Sequence, residues 1–600
     1  MRRRVLGLMS AVVALVLLLT ACSGSGTPKQ EPKTPEPAPA VQPAKEAVFY
    51  GGWPYNLPPK SNFQWYSTAT LAMGGSPYNE MMMNPFAMYY WDSDTWEPML
   101  ATDWKMDAAK NEVTLNLRKG VKWSDGKDFN ATDVINTLSI LKANSHAVWR
   151  YVDKVTATND HQVVFHLGQP STIALRYILK TQPVSSAVYG AIAKKVQALF
   201  DAGKAPTSEE VKAVMKEMDT LQPKEFTVTG PYNIDPATMT EAQMTLKKVP
   251  TAWQAQTVKF DKIVIYNGET AAITPLVLDK KVDFATHAFP PATEKQILAQ
   301  NIRVIRYPTY SGPSLFFNMK IYPLDRKEVR QAIAYAVNRS ENGMVALSSS
   351  GVPVKYMTGF SDNLVKTWMN QADIQKLNQY EYNPTKGAEL LTSIGFKKGA
   401  DGIWVDDKGK PLSFEVHVPS DYADWSASAE NAVQQLNKFG IKAVVRGVPS
   451  SQAPTDINQG KFQIGFRLFG SSVPHPSFGF TADLVTYNQA QHANKTELPG
   501  QNYPLKQKWS GGDIDFNAMI TESAAGLDVA KQKEIIGKTA LALNELMPIV
   551  PLYERYTNSP ALENVHVTGW PKDGDPILKN GGGDNFVTLM ILTGKLSPAK

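Results

Sequence analysis

The sequence predicts an α/β protein, and three stretches carry that reading. Between Leu412 and Val445, Leu412, Phe414, Val416 and Val418 alternate as a strand, and Ala429, Ala432, Val433 and Leu436 then share one helical face. Gly440 closes that helix and Ile441–Val445 resumes as a strand, so the stretch is a βαβ crossover and implies a parallel pair. Elsewhere, half-buried strands such as Val113, Leu115 and Leu117 are interspersed with capped helix starts. Finally, 600 residues at 43% hydrophobic content supply a large core.

The elements follow in chain order. Arg2, Arg3 and Arg4 precede an apolar run from Val5 to Leu19, which ends Leu19-Thr20-Ala21-Cys22. A basic start, a short apolar core and small residues describe an export leader, since a membrane span needs roughly 20 apolar residues. Ser23–Glu46 holds six prolines among Lys, Glu, Gly and Ser, a composition for an extended tether. Ala47–Tyr50 begins the ordered chain as a strand. Lys119-Gly120 ends the strand of Val113, and Ser124-Asp125-Gly126 is a turn. Asn130, three residues before Asp133, opens a capped helix through Val134, Leu138 and Leu141. Asp325 and Glu328 predict the same ahead of Val329. Asn383-Pro384 starts a helix that Gly395 ends. Phe462–Phe469 is a further strand. No internal repeat and no second low-complexity linker interrupts the body.

Composition excludes several chemistries. The only cysteine is Cys22, so the body has no disulfide, no thiol nucleophile and no cysteine metal site. The net charge of +6 falls to +3 without the three leader arginines, which argues against a nucleic-acid partner. The eight histidines show no metal-ligand spacing, and no phosphate loop, nucleophile elbow or cofactor motif is present. No metal and no cofactor is expected, and no enzymatic activity.

Four stretches make the chain similar to a known family, the solute-binding proteins of ABC importers in the peptide- and oligosaccharide-binding class, family 5. They are Val113–Val134 with Trp123-Ser124-Asp125-Gly126; Thr229-Gly230-Pro231-Tyr232; Phe316-Phe317-Asn318 with Val329-Arg330-Gln331-Ala332; and Tyr380–Trp404. Leu19-Thr20-Ala21-Cys22 likewise resembles a bacterial lipobox. The resemblance implies a two-lobed periplasmic-binding-protein-like fold of class II type, with a hinge and an inserted third subdomain. It implies a leader at 1–21, a tether at 22–46, a first lobe from 47–97, 227–310 and 551–600, an inserted subdomain at 98–226, and a second lobe at 311–550. It also implies a monomer outside the cytoplasm, anchored to the cell membrane only by lipid on Cys22, that passes ligand to ABC permease subunits. Arg118, Trp123 and Asp125 are then fold residues.

Ligand class turns on charge. Peptide-binding members place an aspartate after the strand equivalent to Phe462–Phe469, where it meets the ligand ammonium. Here that loop reads Gly470-Ser471-Ser472-Val473-Pro474-His475, with no acid before Asp483. Unless Asp421, Asp424 or another carboxylate substitutes, the cleft suits a neutral oligosaccharide of cello-, xylo- or manno-type, with flat rings and short polar groups around it. The expected ligand-binding residues are Trp53, Tyr55, Asn56, Asn62, Trp65, Tyr66, Asp424, Trp425, Phe469, Ser471 and Ser472. Trp91, Trp96, Trp149, Trp253, Trp404, Trp509 and Trp570 are assigned to the core, and His475 to a structural role. A peptide is the alternative ligand, and an exported glycoside hydrolase a remote one.

Overall fold

Two sheets organise the computed structural model, which describes residues 46–67, 69–488 and 498–600. The leader, Cys22 and the tether up to Lys45 lie outside the described residues. In the first lobe, Val48–Gly52 runs parallel to Lys262–Tyr266, which pairs antiparallel with Gln243–Lys248 and through it with Tyr232–Asp235. Phe284 bridges Gly51 to Ala561 and so joins this sheet to the pair Arg303–Ile305 and Ser559–Ala561.

The second lobe is built on five strands in the order Lys442–Val448, Ser413–Pro419, Ile464–Gly470, Ser311–Phe317 and Ile549–Pro551. Its first two strands are parallel and joined by the helix Ala423–Phe439, as the alternation predicts. Gly440 ends that helix at φ +103°, a conformation that favours glycine. Asp421–Trp425 therefore lies beyond the carboxyl end of a strand, the usual place for a ligand in such sheets.

A third, antiparallel sheet of Ala101–Asp107, Glu112–Leu117, Gln162–Leu167 and Val152–Asn159 belongs to the inserted region. The helix Ala131–Ala143 packs beside it and begins as the sequence predicts, with Asn130 and Asp133 forming a reciprocal cap. Asp133 also accepts from the indole of Trp123 at 3.0 Å and from the backbone N–H of Ser186 at 2.8 Å. Trp123 is 1% exposed, so this signature residue serves the fold. The cap expected at Asp325 differs. The helix starts at Lys327, Arg326 stands at its N-cap without a side-chain bond, and the turn is instead held through backbone bonds around Pro323. Asn383 does cap Pro384–Ser393, accepting from Lys386.

The chain crosses between the lobes twice, once between Ile305 and Ser311 and once between Pro551 and Ser559. The crossings run antiparallel: Pro308 bridges Tyr556, and the N–H of Thr309 donates to the carbonyl of Arg555 at 3.0 Å. They approach so closely that a Cβ on Gly312 would stand 1.8 Å from the Tyr553 carbonyl oxygen. A further tie joins the inserted region to the second lobe. Gly526 donates to the carbonyl of Pro170 at 2.7 Å, and the Ser171 hydroxyl donates to that of Ala524 at 2.6 Å. The lobes are thus held facing each other on two sides.

Removing the shared carboxylate tests the role of the signature turn. Asp133→Ala strands three donors at one helix start, and should lower stability by about 3 kcal/mol or more, seen as a clear drop in Tm. An unchanged Tm would contradict this role.

Candidate functional site

A cavity of about 360 Å³ opens where both lobes meet the second crossing. Trp53 enters it directly after the first strand, its N–H held by the Tyr266 carbonyl at 3.0 Å. Glu269 and Thr270 come from the start of the helix Thr270–Leu278, and Thr286–Ala288 from the following loop. The second lobe contributes Tyr422–Trp425 and Arg467, and the crossing contributes Arg555.

The chamber collects charge of both signs. Asp424 is 4% exposed, and its Oδ2 has no hydrogen-bond partner among the described residues. Burial pushes its carboxyl above the usual range, against the opposing pull of Arg555 and the N–H groups of the first helical turn. Burial also raises Glu269, and the neighbouring charge of Asp421 adds to the effect. Asp421 itself accepts from the Ser450 N–H at 2.7 Å. Facing these acids, Arg555 donates to the Thr286 carbonyl at 3.2 Å, while its buried Nε has no partner among the described residues. Arg467 lies over the Tyr487 ring at 4.3 Å and donates to its hydroxyl, and its buried Nε has no partner among the described residues.

His287 is neutral. Burial pushes it down to about 4, and Nε2 lies 2.9 Å from the Gly268 carbonyl. A carbonyl only accepts, so the proton is on Nε2 and Nδ1 is an unused acceptor. Buried carboxylates, guanidinium groups and an imidazole lacking partners are costly to leave so, and a ligand carrying complementary charges removes that cost.

Of the residues expected from sequence, Trp53, Asp424 and Trp425 line this chamber. Trp425 is 4% exposed and packs edge-on to Tyr422 at 5.4 Å, so it is also core. The others lie elsewhere. The Tyr55 hydroxyl donates to the Thr240 carbonyl, Asn56 is exposed with its carbonyl taken by Ser61, and Asn62 donates to Ser67 within its own turn. Trp65 packs edge-on to Phe226 and Tyr66 edge-on to Tyr189. An aromatic, Asn-rich loop reads alike whether its rings face a ligand or the protein itself, and here Trp65 and Tyr66 pack on Phe226 and Tyr189. Phe469 is fully buried in the second lobe. Ser471 and Ser472 are half-buried, and Ser472 abuts Gly582 of the opposite lobe. Asp483, the first acid after their loop, accepts from the N–H of Gly470 at 3.0 Å.

Sequence reasoning missed Glu269, His287, Arg467 and Arg555. Arg467 sits in the predicted strand Phe462–Phe469, and its charge there was the available signal. Arg555 belongs to a crossing whose course no local pattern reveals.

Beside Arg555, the crossing carries Glu554, which forms an acid pair with Asp362 from the helix Asp362–Trp368. Glu554 accepts from the Asp362 N–H and from the Asn363 amide. Burial pushes Asp362 up to about 6, and burial together with Asp362's charge pushes Glu554 up to about 7. Both lie above their unfolded values near 4, so between these limits the folded chain binds more protons than the unfolded one. Their contribution is fully present below about pH 4 and is lost as pH rises through about 6 to 7. Glu554→Gln should therefore flatten the fall in Tm between about pH 5 and 8. Parallel Tm profiles for parent and variant would contradict this.

Comparison with known proteins places these features in a family. The sequence model of the bacterial extracellular solute-binding proteins, family 5 Middle, matches residues 95–491. A probable ABC transporter-binding protein of Deinococcus radiodurans is 24% identical over 510 residues, 76% of this chain and 79% of that protein. The glutathione-binding protein GsiB of Escherichia coli is 25% identical over 406 residues, 65% and 67% of the two chains. Among solved structures, a periplasmic oligopeptide-binding protein of Thermotoga maritima with bound mannohexaose superposes with a TM-score of 0.70 at 20% identity. That match covers 93% of this chain and 99% of the other. It supports the two-lobed fold.

Proposed function

The chain belongs to the bacterial extracellular solute-binding proteins of family 5, the binding components of ABC transporters, and we propose that its ligand is a zwitterionic, peptide-like molecule. This reverses the order expected from the loop after Phe469. That loop lacks an acid, but Asp424 and Glu269 stand in the cleft from other elements. The observation that carries the reading is Asp424: a buried carboxylate oxygen that, like the Nε atoms of the chamber's two arginines, has no partner among the described residues. An ammonium group would pair with Asp424 and Glu269, and a carboxylate with Arg467 or Arg555, each as a charge-assisted bond. The relative named for glutathione binding, itself a zwitterionic tripeptide, supports the same class.

Binding would favour the arrangement in which both lobes touch the ligand, because a ligand shifts a population only by its differential affinity for two states. The enclosed form would be the one presented to the permease. In this reading Trp53 and Trp425 wall the chamber, and lipid on Cys22 holds the protein at the outer face of the cell membrane. A neutral oligosaccharide is the second reading, favoured by the structural neighbour that carries mannohexaose.

Calorimetry of the mature protein separates the two. A tripeptide with free ends should bind, and Asp424→Asn and Arg555→Ala should each weaken it by about 100-fold, since removing one member of a buried charge pair costs about 2–5 kcal/mol. Heat with mannohexaose and none with any peptide would reverse the assignment. For the anchor, Cys22→Ala should move the protein from the membrane fraction to the soluble fraction of cells. Retention at the membrane would contradict lipidation at that residue.

A further inference from the structure

Away from the cleft, the second lobe carries a concentrated positive surface at the end opposite the charged chamber. The parallel strands Ser413–Pro419 and Lys442–Val448 both start at that end and run towards the chamber, whose wall includes Tyr422 and Ser450 just beyond them. A strand of seven residues spans about 23 Å, so the two ends of the lobe are well apart. Lys397, Lys398, Lys408, Lys410, Lys438 and Lys442 are all exposed at this pole. Short elements fold them onto one corner. Lys398 stands opposite Trp404 in a two-residue pairing, the Trp404 N–H donates to the Gly440 carbonyl at 2.8 Å, and the Lys442 N–H donates to that of Leu412 at 2.9 Å.

What distinguishes this corner is that its ammonium groups face no acid. Elsewhere exposed lysines pair with carboxylates, as Lys195 does with Glu217, Lys376 with Asp373 and Lys506 with Asp515. At the pole no carboxylate oxygen lies within 4.0 Å of a lysine Nζ among the described residues. The local acids are engaged in turns instead. Asp401 accepts from the Ile403 N–H at 3.1 Å, Asp406 from those of Lys408 at 2.9 Å and Lys410 at 2.8 Å, and Asp407 from the Tyr322 hydroxyl. Residues 397–412 and 438–442 thus set six lysines against three aspartates, a net charge of +3, as much as the whole chain carries without its leader arginines. Two of the ammonium groups lie over rings, Lys408 at 3.4 Å from Tyr322 and Lys398 at 5.5 Å from Trp404.

The chemistry of the side chains selects the partner. Lysines are point charges on flexible stems and suit a diffuse anionic surface, whereas bidentate recognition of a single phosphate or carboxylate uses arginine. Protein interfaces are depleted in lysine and centre on buried aromatic or aliphatic anchors. Such an anchor is lacking here, since Val444 is the one large apolar side chain exposed among residues 397–446. Anionic phospholipid headgroups need no anchor, and each lysine close to the bilayer raises partitioning about fivefold.

We propose that this pole of the second lobe rests on an anionic phospholipid surface, giving the protein a membrane contact of its own. Resting there turns the carboxyl ends of the strands, and the charged chamber with them, away from the bilayer and towards dissolved ligand. The contact depends neither on the class of ligand nor on lipid at Cys22.

Sedimentation of the Cys22→Ala protein with vesicles tests the contact in about 0.1 M salt, where charges farther apart than about 10 Å are screened. Vesicles of equal parts phosphatidylglycerol and phosphatidylcholine should bind the protein, and vesicles of phosphatidylcholine alone should not. Lys397→Glu, Lys398→Glu and Lys442→Glu together should lower partitioning by at least about 100-fold, with Tm unchanged. Lys194→Glu, Lys216→Glu and Lys224→Glu, an equal change of charge among exposed residues of the inserted region, should lower it by less than about fivefold. No binding to the mixed vesicles, or equal losses from the two sets, would overturn the proposal. So would a pole variant that binds vesicles like its parent and fails only in uptake by cells, which would assign the surface to the permease.

Discussion

The whole arrangement depends on burying charge at a hinge. Two antiparallel crossings carry the chain between lobes, and the second brings Arg555 to a place where Asp424, Glu269 and Arg467 converge from three other elements. In an enclosed space of low dielectric, such groups are expensive unless each faces a partner. Within the protein alone they are incompletely matched. In the proposed reading the lobes close on a ligand that completes the set, and its chemistry follows from the signs of the charges. Shape alone would allow a sugar, whereas the unpartnered carboxylate and guanidinium atoms favour an amine and an acid.

The rest of the fold exists to hold those groups at fixed positions. The parallel βαβ unit of the second lobe delivers Asp424 and Trp425 at a strand's carboxyl end. The first strand delivers Trp53, and Gly312 lets the two crossings lie against one another. The tie between Pro170–Thr172 and Gly526 braces the far side, so the inserted region acts as a second point of contact between the lobes.

Much of this was legible in the chain. The alternation from Leu412 to Val418 and the helical face from Ala429 to Leu436 gave the crossover directly, and Asn130 and Asn383 marked helix starts because their side chains have a single local task. Asp325 failed as a cap because backbone turns around Pro323 already fix that entry. The site was harder. Asp424 and Trp425, which line the chamber, follow a predictable strand and so are legible as cleft residues. Arg555 and Glu269 could not, because their meeting is set by the path of the crossing and by tertiary closure, which leave no periodic trace. The aromatic loop from Tyr55 to Tyr66 is ambiguous for a related reason: rings that pack on the protein and rings that wait for a ligand have the same composition.

In the proposed reading, opposite charges in the cleft recognise the opposite charges at the two ends of the ligand. Calorimetry with one tripeptide in three forms, with free ends, N-acetylated and C-amidated, tests it most directly. The account predicts that blocking either end weakens binding by at least about 30-fold, the loss of a paired buried charge. Equal affinity for all three forms would contradict it.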